Sequence, residues 1–326
     1  MAKASRNVLV TGGAGYIGSH TCVELLAAGH GVVVVDNLDN GFEEALRRVE
    51  KIAMRDLMFV EADIRDQDAM DQVFTDFQVD SVIHFAGLKS VSESVEKPEL
   101  YYDVNLGGSI ALCDAMAKHG VKDIVFSSSA TVYGFNSYEA ITEYADTNPV
   151  QPYGKTKLAV EKHLRERCEA DNGWNAVALR YFNPVGAHPS GMIGENPRGT
   201  PNNLTPYITQ VAVGKREKLM VYGKDYHTKD GTGVRDYIHV VDLARGHVRA
   251  LDLLGEKRGF LAVNLGTGHP YSVLEVHAAF EEVVGRPIPY EFGPPRDGDL
   301  AIYFADVAAA GTYLIDRVKL RDAWLD

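Results

Sequence analysis

One stretch near the N-terminus narrows the possible folds more than any other. Val8-Leu9-Val10 is a short continuous apolar run, and Thr11-Gly12-Gly13-Ala14-Gly15-Tyr16-Ile17-Gly18 follows it without a break. The run reads as a buried strand, and Ile17–Ala28, ending near Gly29, reads as a helix. Gly12, Gly15 and Gly18 satisfy G-x-x-G-x-x-G, and Gly13, Gly15 and Gly18 satisfy G-x-G-x-x-G. Such glycines permit a tight turn and close approach of the backbone to a pyrophosphate. The helix N-terminus then offers the anion free N–H groups and the positive end of its dipole. A second apolar run, Val32–Val35, ends in Asp36, 18 residues past Gly18. A carboxylate there can accept hydrogen bonds from adenine ribose hydroxyls and would repel a 2′-phosphate. No arginine follows it immediately, which favours NAD over NADP. The competing explanation is a plain structural turn with a helix-capping aspartate, and the combination of strand, glycines, helix and acid disfavours it. Asp63-Ile64, after a third run, places an acid where it could meet the adenine amine; taken alone, Asp63 serves equally well as a helix cap.

The alternation continues. Met58–Val60, Ser81–Phe85, Asp123–Ser127 and Ala176–Arg180 read as strands, and Leu100–His119 (closed by Gly120) and Tyr153–Asn172 as helices. Short apolar strands joined by helical crossovers predict an α/β fold, a Rossmann-type doubly wound parallel sheet that binds ligands at the carboxyl ends of its strands. After Arg180 the character changes, and residues 183–206 are rich in Pro, Gly and Asn. The expected organisation is therefore an NAD-binding domain over 1–180 and, over 181–326, mainly a smaller C-terminal substrate-binding lobe that closes a cleft over the sheet edge.

The chain has 326 residues, enough for two such units, and a net charge of −12, which disfavours nucleic acid and anionic membrane as partners. No apolar run approaches a membrane span, and the first is too short for a signal-peptide core. Cys22, Cys113 and Cys168 are odd in number and widely spaced, as expected of reduced thiols in a cytoplasmic protein. The eleven histidines show no metal-ligand spacing, so no metal is expected.

Candidate chemistry lies at the ends of the later strands. Tyr153 and Lys157 stand at i and i+4 of a helix, so a phenol and an ammonium share one face. A nearby cation favours the phenolate, and bringing a tyrosine from about 10 to about 7 takes roughly 4 kcal/mol. A Tyr-x-x-x-Lys match alone is weak. Here Phe126-Ser127-Ser128-Ser129 ends a strand facing the same region, and Ser129 is placed to bond a substrate oxygen and pass its proton to Tyr153. Ser127 and Ser128 read better as groups that satisfy the backbone at a strand end. In His84-Phe85-Ala86-Gly87-Leu88-Lys89, Gly87 would let the backbone approach the cofactor and Lys89 could reach its ribose or phosphate; His84 reads as a packed strand histidine.

Together, Asp36, Ser129, Tyr153, Lys157 and the glycine loop resemble the pattern of the extended short-chain dehydrogenases/reductases. Val10–Cys22 (VTGGAGYIGSHTC), His84–Lys89 (HFAGLK), Phe126–Gly134 (FSSSATVYG), Leu179–Gly191 (LRYFNPVGAHPSG), Pro201–Tyr207 (PNNLTPY) and Gly231–Val240 (GTGVRDYIHV) are similar to the UDP-glucose 4-epimerase family within it, over residues 7 to about 306. The resemblance implies NAD contacts from Tyr16, Ile17, Asp36, Asn37, Asp63, Ile64, Phe85, Ala86, Gly87, Lys89, Ser129, Tyr153, Lys157 and Phe182. It implies that Asn183, Asn203, Leu204, Met220, Tyr222, Arg235, Arg296, Asp299 and Tyr303 hold the UDP-sugar, with Lys89, Ser129 and Tyr153 also touching it. Val104 stands where some members carry an asparagine, His227 replaces a common proline, and beyond Asp306 the chain follows a short divergent tail, Val307–Asp326. Related dehydratases carry an Asp-Glu pair after the strand-end serine or threonine, and related decarboxylases a glutamate; this chain has Ala130-Thr131. The implied reaction is interconversion of UDP-glucose and UDP-galactose through a 4-keto sugar, by a cytoplasmic homodimer that pairs helices including Leu100–His119 and Tyr153–Asn172. Two alternatives stay open: another nucleotide-sugar epimerase, dehydratase or dehydrogenase, or a dinucleotide-sensing protein without chemistry. Tyr303, four residues after Asp299, is expected to fill the space that an N-acetyl group would need.

Overall fold

The computed structural model describes residues 5–134, 139–256, 258–296 and 298–314. The first half runs β1 (Asn7–Thr11), α1 (Tyr16–Ala27), β2 (Gly31–Asp36), α2 (Glu43–Ala53), β3 (Met58–Glu61), α3 (Gln67–Asp76) and β4 (Ser81–His84). Then come α4 (Val91–Glu96), α5 (Pro98–Tyr101), α6 (Gly108–Lys118), β5 (Asp123–Ser129), α7 (Pro152–Ala170) and β6 (Asn175–Tyr181). The second half adds β7 (Asn183–Val185), α8 (Leu204–Ala212), β8 (Leu219–Tyr222), β9 (Val234–His239), α9 (Val240–Glu256) and β10 (Gly259–Leu265). It ends with β11 (Pro270–Ser272), α10 (Val273–Val284), β12 (Tyr290–Gly293), β13 (Ile302–Tyr303) and α11 (Ala308–Tyr313).

Seven parallel strands form the main sheet in the order β10-β6-β5-β4-β1-β2-β3. Strand order reverses between β1 and β4, the switch point at which doubly wound sheets bind ligands. Because successive side chains point to opposite faces, Val8, Val10, Val32 and Val34 pack into one apolar layer with α1, α2 and α9. Leu9, Val33 and Val35 pack into the other, with α3, α6 and α7. Burial on both faces is why these strands are continuously apolar instead of alternating. The chain also returns to this sheet well past residue 180: α9 lies against α1, and β10 pairs with β6.

The second lobe is built on β9, which pairs with β7, β11 and β13, and on the two-stranded β8–β12 sheet beneath α8 and α10. The expected single helix over Leu100–His119 is in fact α5 and α6 joined by a π-helical turn, Tyr102–Gly107. That turn aims Asn105 inward, where its side chain bonds both backbone groups of Leu88, at 2.7 and 3.0 Å, and the Thr156 hydroxyl at 3.2 Å. Of the divergent tail, α11 packs on β10 and α9, and residues 315–326 lie outside the described chain. No described helix is long and apolar enough to cross a membrane.

Candidate active site

A cleft of about 860 Å³ opens at the carboxyl ends of the strands around the switch point. The glycine loop forms its floor. Gly12 has φ +73°, and a Cβ on it would lie 2.7 Å from the Ala86 nitrogen. A Cβ on Gly18 would fall on the Gly12 carbonyl oxygen, so both positions require glycine for the turn and for packing on β4. Gly15 precedes α1 with no side chain to cap it, leaving the first N–H groups of the helix without intrahelical partners at the cleft. These features fit the diphosphate of a dinucleotide.

Asp36 is buried at the end of β2, where its oxygens accept from the Ala14 N–H at 3.0 Å and the Leu38 N–H at 2.9 Å. Burial raises its pKa, and the two N–H donors oppose that rise. The carboxylate thus braces the glycine loop as well as lining the cleft. Asp63 is bonded by Arg65 at 2.7 Å and by Asn37 at 3.1 Å, and the Arg65 side chain holds it at about 2 despite partial burial. It is not a helix cap: Asp66 caps α3 by accepting from the Ala69 N–H. His84 is the buried strand histidine expected, bonded to Thr11 at 2.7 Å and Ser109 at 2.9 Å, and burial lowers its pKa to about 3.

Ser129, Tyr153 and Lys157 meet in the same cleft. Ser129 ends β5 and accepts from the Thr131 N–H at 3.2 Å and the Thr131 hydroxyl at 3.0 Å, which leaves its own proton for the phenol of Tyr153. Lys157 donates to the Ser127 carbonyl at 2.9 Å and lies 5.9 Å from the centre of the Tyr153 ring. The phenol does not behave as the spacing alone implies. Burial drives its pKa up to about 12, opposed by the Ser129 hydrogen bond, and burial lowers Lys157 to about 8. Ser127 and Ser128 are structural, but their partners are side chains and not backbone groups. Ser127 bonds the Tyr181 hydroxyl, and Ser128 donates to Glu161 at 2.5 Å.

Every expected dinucleotide contact lines this cleft: Gly12, Gly15, Tyr16, Ile17, Gly18, Asp36, Asn37, Asp63, Ile64, Phe85, Ala86, Gly87, Lys89, Phe182 and the three chemical groups; Asn183, Asn203 and Val104 line it too. The remaining expected sugar-nucleotide residues gather in the second lobe. Asp299 bridges Arg235 at 3.2 Å and Arg296 at 2.8 Å, and Arg296 stacks 5.1 Å from the Tyr222 ring centre. Met220 sits against Gly293 beside Tyr222, and Leu204 begins α8. Tyr303 reaches across from this lobe, its hydroxyl donating to the Ala130 carbonyl at 2.6 Å, one residue past Ser129.

Sequence reasoning missed Asn105, Thr131, Arg48, Arg198 and Glu195. Residues 187–203 form a strap along the cleft. Arg48 bonds the Met192 carbonyl at 2.9 Å, and Arg198 bonds the carbonyls of Leu38 and Gly41 at 3.0 and 3.2 Å. Arg48, Arg198 and Glu195 have no periodic or motif signal and are revealed only by their contacts along the strap; Thr131 lies inside the FSSSATVYG stretch, but its hold on Ser129 shows only in the fold, as does the bond of Asn105 to Leu88.

A sequence profile of the NAD dependent epimerase/dehydratase family matches residues 8–266. The UDP-glucose 4-epimerase of Bacillus subtilis is 60% identical over 303 residues, covering 93% of this chain and 89% of its own. A crystal structure of the UDP-glucose 4-epimerase from Bifidobacterium longum in complex with NAD+ and UDP superposes with a TM-score of 0.91 at 53% identity, over 94% of this chain and 92% of that one. The enzyme from Stenotrophomonas maltophila, with bound NAD and formylated UDP-arabinopyranose, gives a TM-score of 0.92 at 50% identity, over 98% and 97% of the two chains. With a glycine-loop floor, an acid at the end of β2, a serine at the end of β5 and a Tyr-Lys pair on α7, the chain belongs to the NAD dependent epimerase/dehydratase family.

Proposed function

We propose that this chain is a UDP-glucose 4-epimerase that interconverts UDP-glucose and UDP-galactose with NAD. One observation carries the reading: the Tyr153 phenol, with its partners Ser129 and Lys157, faces the cleft beside the glycine loop, and Ala130-Thr131 occupies the place where a dehydratase needs its second acid. Bound NAD supplies the hydride acceptor and then the donor at C4, together with a positive charge beside the phenol. Tyr153 takes the O4 proton as C4 is oxidised and returns it as C4 is reduced. Ser129, oriented by Thr131, holds the same oxygen, and Lys157 fixes the phenol's surroundings through the Ser127 carbonyl. The 4-keto sugar must turn over between the two half-reactions. That requires a firm grip on the UDP, here assigned to Asn183, Asn203, Leu204, Met220, Tyr222, Arg235, Arg296 and Asp299, and a loose grip on the hexose.

A homodimer through the helices of Leu100–His119 and Tyr153–Asn172 and a cytoplasmic location belong to the same proposal. The half-exposed Leu100 and Tyr102 at the start of that helical stretch support the first. The deciding experiment incubates the purified protein with UDP-galactose, without added NAD, and looks for UDP-glucose. Net NADH accumulation, or loss of water from the sugar, would replace this reading with that of a dehydrogenase or dehydratase.

A further inference from the structure

We propose that Glu195 is a positioning residue that couples the cofactor half of the cleft to the UDP half. It lies on the strap, in a stretch with no regular secondary structure, yet its side chain is only 8% exposed. One carboxylate oxygen, Oε1, accepts from two residues on opposite sides of the cleft: Lys89 Nζ at 3.2 Å and Asn203 Nδ2 at 2.7 Å. Lys89 follows the β4 turn, whose backbone Asn105 locks at Leu88. Asn203 occupies the N-cap of α8 but makes no side-chain cap bond, because its amide is turned to Glu195. An asparagine at an N-cap ordinarily satisfies a helix N–H. Here it gives that bond up, leaving the first N–H groups of α8 open and its own amide aimed across the cleft. Among the described residues Oε2 has no partner, and the carboxylate is close enough to Tyr16, on the glycine loop, to help raise its phenol's pKa.

A buried carboxylate on the wall of a cleft that receives two diphosphates is unfavourable unless it does something for them. Its negative charge holds the Lys89 ammonium at a fixed point between the two halves, and its second bond orients the Asn203 amide. A ligand that settles Lys89 on the cofactor side therefore also settles Asn203 on the UDP side, and the reverse holds by linkage. The inference rests on the reading of the cleft as an NAD and UDP-sugar site. Its test uses binding as well as turnover, so the two can fail separately.

The test compares wild type with Glu195→Gln, Lys89→Met and the double variant. Four quantities are measured: UDP affinity by titration calorimetry, NAD content released from the gel-filtered protein, and KM and kcat for UDP-galactose. Glu195→Gln keeps an oxygen for Asn203 and removes only the charge that holds Lys89. The expected result is a roughly 5- to 20-fold loss of UDP affinity and a similar rise in KM, reduced NAD content, and kcat within about threefold of wild type. In the Lys89→Met background the same substitution should have little further effect, since it acts through that lysine. UDP affinity within twofold of wild type, tighter UDP binding, or fully additive losses in the double variant would each overturn the proposal. Wild-type protein that binds UDP and NAD but does not epimerise would count against the proposed function and leave this inference standing.

Discussion

Glu161 offers a test of what holds the chemical helix in place. It lies on α7, one turn beyond Lys157 and two beyond Tyr153, and pairs with Arg180 on β6; the two side chains are 2% and 4% exposed. The pair is bidentate, Arg180 Nε to Oε1 at 2.9 Å and Nη2 to Oε2 at 2.5 Å, and Ser128 on β5 donates to the same carboxylate. Arg180 reaches on to the Tyr133 hydroxyl at 3.0 Å, which itself donates to Asn264 on β10 at 2.6 Å. Burial works against the guanidinium charge, and Glu161 more than offsets it, holding the pKa of Arg180 above its ordinary value. Glu161→Ala removes the counter-charge and leaves the cation buried, for which about 3–5 kcal/mol is expected. At about 2.1 cal/mol/K per residue, the 326-residue chain unfolds with an entropy near 0.7 kcal/mol/K, so Tm should fall by roughly 4–7 °C. Differential scanning fluorimetry on NAD-saturated protein reads this directly. Replacing both partners with apolar residues of similar volume should lose less than either single change, because no lone charge remains. A fall of less than about 1 °C for Glu161→Ala would refute the argument, since it would mean that the guanidinium finds water or another partner at no cost.

Tyr153→Phe should lower turnover at least a hundredfold while NAD stays bound, and Lys157→Met should move the remaining activity to higher pH; a Tyr153→Phe enzyme near the wild-type rate would remove the phenol from the mechanism. Asp36→Ala should weaken NAD more than NADP and also lower stability, because the carboxylate braces Ala14 and Leu38; equal loss for both dinucleotides would place it away from the ribose. Burial raises the phenols of Tyr133, Tyr153 and Tyr237 to about 12, so between pH 10 and 12 the unfolded chain loses protons that the folded one keeps; their contribution to stability is constant below pH 10 and is lost above it, so urea midpoints at stepped pH should fall from pH 10 to 12. Tyr303→Ser should admit UDP-GlcNAc at a rate at least ~10-fold above wild type, because it removes a ring wedged between Phe182 and the Ala130 carbonyl; wild-type protein that already handles the N-acetylated pair as fast as the plain hexoses would end that idea.

The parts of this molecule that could be read from sequence are those whose cause is local. The glycine loop, the acid after β2 and the Tyr-x-x-x-Lys spacing follow from backbone sterics and helix geometry, so their placement at one cleft could be anticipated. The strand Gly259–Leu265 could not. It carries a fully buried Asn264 whose amide donates to the Ile141 carbonyl and whose carbonyl accepts from Tyr133, partners more than a hundred residues away. Glu195 was invisible for the same reason: a glutamate in a Pro- and Gly-rich loop looks like solvated surface until Lys89 and Asn203 are brought to it. The π-helical turn at Tyr102–Gly107 likewise depends on Leu88 and Thr156, which give the inward Asn105 something to bond.

The same distinction governs the chemistry. Spacing places an ammonium near the Tyr153 phenol, but it does not determine how acidic that phenol becomes. From about 12 to neutrality is five units, or about 7 kcal/mol. Lys157 Nζ stands 5.9 Å from the centre of the Tyr153 ring, and at an effective dielectric of about 20 a unit cation roughly 6 Å from a charge contributes about 3 kcal/mol. Lys157 is moreover tied to the Ser127 carbonyl and, at about 8, is itself close to losing its charge. On the proposed mechanism, positive charge arriving with an oxidised dinucleotide would supply the rest. Tyr153 would keep its proton without that charge and would approach the pKa of a working base with it. A reduced dinucleotide would lack that charge, so Tyr153 would hold its proton, the state it needs to return the proton to O4. On this reading the set of Ser129, Tyr153 and Lys157 would take its direction, base in one half-reaction and acid in the other, from the redox state of what it binds.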